Sequence, residues 1–419
     1  LVSLFPHISQ FSLFLSLSLA FPLSVFLCLE LQGVACLVDA RAAFTAWRGK
    51  RMRGRPSRLL TLCSLLISFS LAATTQEEDE QLLAEFAQIP VNEEELGRDL
   101  PQEEVASDNL AGDDNAFLMS LSKPLGEISG MAMDKQGRLI VFHRADRIWE
   151  ERTFDEKGRL RKGLGPIKNA TIAVIDIKTG QVLEEHGSGL FFLPHGLTVD
   201  PSSNVWVTDV GSHQVHKLGA DWKPVLSLGV RGEPGSGPAH FCQPTDVAVA
   251  TNGYFFVSDG YCNSRVVKFN PSGKQEAIFM APDGEEGSSP FAVPHSLALI
   301  QDMNLLCVAD RENERVQCYS AGLVEGHRSI PSGIPITSAE NIGRVYAIRE
   351  KNHYLVGVTG EDLAGQLPSQ MFVMDMKSGQ ATTFLKGIKN AHAVAVADDG
   401  KVFIGQMHPN QIVIVDLAL

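Results

Sequence analysis

The chain has 419 residues, a hydrophobic fraction of 44%, a charged fraction of 20% and a formal net charge of −13. These are the proportions of a globular protein, with chain enough for one large core or two ordinary ones. The acidic balance argues against a nucleic-acid partner, which would call for a basic face, although part of the excess lies in one run at 76–95.

The first 51 residues hold a Leu/Ser/Phe-rich run at 11–37 followed by a basic patch. That run is long enough to be read as a membrane-spanning signal anchor. The first Met, Met52, starts a better targeting signal. Arg53, Arg55 and Arg58 form a basic region, 59–71 an apolar one, and the small residues Ala72 and Ala73 follow. We therefore read 52–73 as a secretory signal peptide and 1–51 as upstream sequence or a gene-model extension. Residues 74–120 are acidic and polar, and read as a pro-segment or spacer with a short helix near 81–88. The expected location is the secretory pathway: a secretory vesicle lumen or the extracellular space.

From 121 to 419 the texture changes to short runs rich in Val, Ile and Phe, broken by Gly, Asp, Asn and Pro. That is strand and turn chemistry. The stretch FFLPHGLTVDPSSNVWVTDV at 191–210 returns in variant form at 241–259, 291–310 and 388–406. The spacing holds: His195 to Asp209 is 14 residues, Thr245 to Asp259 is 14, His295 to Asp310 is 15, and His392 to Gln406 is 14. Residues 127–144 fit as an earlier copy, with Met131 in the column of Leu197, and 338–358 as a weaker one. Six such units predict an all-β, six-bladed β-propeller with NHL-like repeats.

Blades of a propeller converge on an axis, so His195, His295 and His392 are expected to meet. Three neutral imidazoles suit a catalytic zinc site with one position open. Arg144 and Arg311 follow the first and fourth copies, where bidentate hydrogen bonds would suit a carboxylate substrate. Asp209, Asp259 and Asp310 read as turn-capping or inter-blade residues. Four cysteines lie in the repeats, and neighbours in sequence would close short loops. The expected bridges are Cys242–Cys262 and Cys307–Cys318, one of three connectivities. Tyr261 would then sit beside a covalent staple. Asn169 heads an N-glycosylation sequon.

FHRADRIW, KGLGPI, LPHGLTVD, FCQPTDVAV, SDGYCNSR, VPHSLAL and CVADREN together resemble the peptidyl-α-hydroxyglycine α-amidating lyase family, over about 126–415. The resemblance implies a zinc- and calcium-bearing propeller that cleaves peptidyl-α-hydroxyglycine to the peptide amide and glyoxylate. It implies zinc on His195, His295 and His392, catalysis by Tyr261 with Arg144 and Arg311, the same two disulfides, and calcium on the backbone carbonyls of Met131 and Leu197. The family's last repeat has Pro-His-Asp, where the Asp binds calcium; here it is Ala391-His392-Ala393, and Gln406 stands where an Asp is expected. These departures raise an alternative, a non-catalytic propeller serving as a protein-binding platform. A third reading, a lactonase-like hydrolase, would need axial carboxylates that this column lacks. The expected protein is a monomer without a membrane span after signal cleavage, receiving its substrate from a separate copper monooxygenase.

Overall fold

The computed structural model describes residues 26–31, 34–39, 115–279, 291–323 and 330–417. The chain divides into two compact units, 1–102 and 103–419. In the first, Phe26–Leu31 pairs antiparallel with Val34–Asp39. Within the run at 11–37 these two segments are strands; the rest of the run that the signal-anchor reading covers lies outside the described residues. The signal-peptide reading at 52–73 lies outside the described residues. No helix among the described residues is long and apolar enough to cross a membrane.

The second unit is a propeller of six four-stranded antiparallel blades. Their inner strands, blade 1 to blade 6, are Ile128–Met133, Pro194–Val199, Asp246–Val249, Pro294–Ile300, Val345–Lys351 and Ala391–Val396. The sequence alternation changes along each blade as position demands. Second strands such as Leu139–His143, Val205–Asp209 and Phe255–Asp259 are buried at every residue, because neighbouring blades cover both faces. The outer strand Gln275–Phe279 keeps a two-residue alternation, with one face in water. The core thus lies between blades: Phe142 of blade 1 meets Phe191, which leads into blade 2, edge to face at 5.0 Å. Truncating a wholly buried ring such as Phe403 would cost about 3–5 kcal/mol.

The ring closes by exchange of chain ends. Ala116–Leu118 pairs with Ile412–Asp416 and becomes the outer strand of blade 6. The acidic spacer drawn to residue 120 is therefore shorter at its C-terminal end. Its last residues are apolar, Ala116-Phe117-Leu118, and satisfy the free edge of the last blade. The weak fifth copy also shifts: Pro335–Ala339 is the outer strand of blade 4, and blade 5 begins at Val345.

In five of the six blades the residue at the end of the second strand pins the loop that leads into its blade. Asp209 accepts the N–H groups of Phe192 (2.7 Å) and Leu193 (2.8 Å), Asp259 that of Cys242 (2.7 Å), and Asp310 that of Ala292 (2.7 Å). The capping role expected for these carboxylates is what they perform. Blade 1 puts His143 in this place, its Nδ1 accepting from Gly126 (3.3 Å) and Ala145 (3.1 Å). Blade 6 reverses the polarity: Gln406 Nε2 donates to the Lys389 carbonyl at 2.7 Å. The last blade is thus tied without its Asp.

Candidate metal centre and pocket

Inner-strand register shifts between Ile128 and Gly130, Pro194 and Leu197, Pro294 and Ser296, Val345 and Ala347, and Ala391 and Ala393. A bulge turns its extra residue off the ladder. Ser129, His195, His295, Tyr346 and His392 lie within these shifts, and Thr245 stands just before the inner strand of blade 3. The histidines therefore come from blades 2, 4 and 6, and the other three from blades 3, 5 and 1.

The alternation has a chemical consequence. His195 Nδ1 bonds the Thr245 carbonyl (2.8 Å), His295 Nδ1 the Tyr346 carbonyl (2.6 Å) and His392 Nδ1 the Ser129 carbonyl (3.0 Å). A carbonyl only accepts, so each Nδ1 carries the proton and each Nε2 presents a lone pair. Every histidine is held by the next blade round the ring. The imidazole centroids are 4.7, 4.9 and 5.0 Å apart. Their ligand atoms lie within 4.8 Å of one another, the one group of three His, Cys, Asp or Glu among the described residues that fits a metal ion.

Electrostatics keep the ring neutral. Burial, helped by the Arg144 charge, pushes His195 down to about 3. Burial and then the neighbouring charges hold His295 and His392 well below the ordinary imidazole range. Neutral imidazole is the form that binds a metal. Tyr261 Oη lies 3.0 Å from His195 Nε2 and 3.1 Å from His295 Nε2. One O–H proton cannot serve two lone pairs at once. The donor set therefore has a surplus of acceptors that a cation would satisfy, and the residues fit zinc.

Tyr261 follows Asp259 and precedes Cys262, which is bonded to Cys242. Asp259 is itself anchored by Arg265 Nε at 2.9 Å and Asn263 Nδ2 at 2.7 Å. Burial pushes the Tyr261 phenol up, while the Arg311 and Arg144 charges oppose that shift. Arg311 reaches Oη at 3.4 Å and lies over the Tyr261 and Tyr346 rings at 5.3 and 5.1 Å. Arg144 is buried, paired with Glu127 at 2.6 Å and bonded to the Pro194 carbonyl at 3.1 Å. Its Nη2 is buried without a partner. Both arginines, Tyr261, Trp149 and His392 line one cavity of about 480 Å³.

The structure thus brings together all six residues expected for zinc and catalysis, and both disulfides. In the second bridge Cys307 faces Cys318 directly across two paired strands. Asn169 is exposed in a loop. The calcium set differs: the Leu197 carbonyl already accepts from Arg349 Nη2 at 3.1 Å, and Ala393 offers no side-chain oxygen. Sequence reasoning missed Glu127, Trp149, Tyr346, His408 and Arg349. Trp149 stacks at a tilt on Tyr261 with centroids 5.0 Å apart, and His408 bonds Glu127 at 2.8 Å. Trp149 closes the FHRADRIW motif, and Tyr346 becomes visible once the fifth copy is registered. His408 and Arg349 carry no such signal.

A family model described as "NHL repeat" matches residues 193–218, 241–269 and 291–319. The Caenorhabditis elegans protein named "Probable peptidyl-alpha-hydroxyglycine alpha-amidating lyase pgal-1" is 52% identical over 316 residues, covering 74% of this chain and 89% of that protein. "Peptidyl-alpha-hydroxyglycine alpha-amidating lyase 2" of Drosophila melanogaster is 41% identical over 279 residues, covering 66% of this chain and 67% of its own. "Peptidyl-glycine alpha-amidating monooxygenase" of Mus musculus is 45% identical over 303 residues, 68% of this chain; the match spans only 30% of that longer protein.

Proposed function

The chain belongs to the peptidyl-alpha-hydroxyglycine alpha-amidating lyase family, and on that footing we propose that it cleaves peptides ending in α-hydroxyglycine to the peptide amide and glyoxylate. The observation that carries this reading is that Tyr261, hydrogen-bonded to His195 and His295 of the histidine ring, lines one cavity with His392, Arg144 and Arg311.

In this reading His195, His295 and His392 would hold Zn²⁺ through their Nε2 lone pairs. When bound, the ion supplies a Lewis acid that favours negative charge on the substrate's hydroxyl oxygen. Arg144, through its unpartnered Nη2, and Arg311 receive the terminal carboxylate. Tyr261 Oη, as phenolate, takes the α-hydroxyl proton. The O–H electron pair becomes the second C–O bond of glyoxylate as the C–N bond breaks. The C–N pair leaves on the amide nitrogen, which takes the proton back from Tyr261. The two guanidinium groups favour the phenolate that burial disfavours.

The platform alternative rests on Ala393 and Gln406, and of these Gln406 still ties its loop. Two disulfides support a secretory, oxidising location. A separate copper monooxygenase would supply the hydroxylated peptide.

The test is expression of the chain in an oxidising host, with zinc content and glyoxylate release from an α-hydroxyglycine peptide measured together. We expect one zinc per chain, and Tyr261→Phe lowering turnover by about 10²–10⁴. Folded protein with neither zinc nor glyoxylate release would sink the proposal.

A further inference from the structure

We propose that the guanidinium of Arg349 is the structural cation of the propeller axis, standing where the family resemblance would place calcium. The inference starts from columns. Three residues beyond the histidine ring along each inner strand stand Ala132, Thr198, Ala248, Ala298, Arg349 and Ala395. Five are small, and one carries a long cationic side chain. Arg349 Nη1 donates to Asp246 Oδ2 (2.9 Å), Ser296 Oγ (3.0 Å) and the Ile348 carbonyl (2.8 Å), and Nη2 to the Leu197 carbonyl (3.1 Å). Blades 2, 3, 4 and 5 are thereby joined through one planar group; its Nε alone is buried without a partner.

The site does not fit calcium. That ion takes six to eight oxygens at roughly 2.3–2.6 Å. Leu197 O is engaged by Arg349, and Ala393 supplies no carboxylate. The cavity next to the ring, lined by Asp246, Ser296, Arg349 and Ala393, measures about 10 Å³, close to the least that holds one water. Its charges already balance: Asp246 is the carboxylate, contributed by blade 3 instead of blade 6, and Arg349 the cation. Asp246 Oδ2 also accepts from Ser296 Oγ at 2.8 Å and from the Leu297 N–H at 3.1 Å, so anion and cation share one network. Loss of the carboxylate at 393 and presence of the arginine at 349 are then two halves of one exchange.

The test needs no activity measurement and is separate from the zinc reading. Full-length protein is dialysed against a calcium chelator, its calcium measured by mass spectrometry and its Tm followed before and after calcium is restored. We expect less than 0.1 calcium per chain and a Tm that calcium does not move. In Arg349→Met we expect a Tm lower by more than 5 °C with zinc content retained. One bound calcium with a Tm that falls on chelation and recovers with calcium, but not with magnesium, overturns the proposal. So does an Arg349→Met protein as stable as the parent. If that variant fails to fold, the calcium measurement on the parent still decides.

Discussion

Two levels of the same six inner strands solve one electrostatic problem in opposite ways. At the upper level three imidazoles turn lone pairs inward and each is held through its Nδ1 by a backbone carbonyl. Acceptors are in excess there, and the proposed zinc would come from outside. One turn of the pleat further on, Arg349 and Asp246 bring both charges on the chain. The strands are alike in both places; what differs is whether the column supplies lone pairs or a long cation. On the two proposals above, the axis would hold a replaceable cation for chemistry and a covalently attached one for structure within the same strands.

Substitutions at the two levels should separate these roles. The largest effect is expected at the upper level. His295→Ala removes one of three ligands, and we expect loss of bound zinc and a fall in kcat/KM of more than about 10³, with little change in Tm of the metal-free protein. Zinc content beside chelated-state melting checks both halves. Next comes Asp246→Asn, which leaves the Arg349 guanidinium without its carboxylate. Removing one partner of a buried pair costs about 3–5 kcal/mol, and the side chains are 17% and 3% exposed, so little of that is screened. Urea unfolding should show the loss while zinc stays at one equivalent. If zinc falls in step with stability, the two levels are one site.

A third expectation concerns the loop pins. His143 stands where blades 2, 3 and 4 have Asp, and His213 accepts the Gln243 N–H at 3.1 Å in a second loop. Burial pushes each from the ordinary value of 6.5 down to about 4. Their folded-state pKa values are depressed, so the unfolded chain takes up protons first as pH falls. Stability contributed by each neutral ring is complete above about pH 6.5 and lost between there and pH 4. Each is worth about 3 kcal/mol over that window. His143→Asn keeps an acceptor that does not titrate, and should flatten the fall in Tm between pH 6.5 and 4. An unchanged slope would remove His143 as its cause.

The repeat made much of this legible in advance. The near-equal spacing of His195, His295 and His392 from the ends of their second strands, 14 or 15 residues, is a one-dimensional trace of the axis. Tyr261 was legible through the family resemblance at SDGYCNSR; the residues alone marked only its place beside a cysteine that closes a short loop. The calcium expectation rested on the carbonyls of Met131 and Leu197 and was weakened at position 393; on the proposal above, the answer comes from blade 5, in the repeat whose sequence is weakest. That answer joins residues 103 positions apart, Asp246 and Arg349, and no local pattern marks a pair that meets only when the ring closes. His408 and Glu127 meet for the same reason. Likewise, the last strand of the propeller hides at the end of an acidic segment, because three apolar residues are too few to read as a strand until Ile412–Asp416 offers an edge.

The smallest effect is expected where the histidines' partners are side chains in name only. Ser129 holds His392 through its carbonyl, and its hydroxyl serves elsewhere, donating to the Phe142 carbonyl at 3.2 Å. Ser129→Ala should therefore cost no more than one ordinary hydrogen bond, about 1 kcal/mol, and leave zinc affinity unchanged. Outer partners of metal ligands usually matter about 10–100-fold when they are lost. The variant keeps the acceptor atom, because the bulge between Ile128 and Gly130 sets its direction. Competition with a colorimetric chelator, run on parent and variant side by side, measures the affinity directly. A tenfold weakening would mean that the Ser129 side chain, and not the backbone bulge, aims the carbonyl at His392.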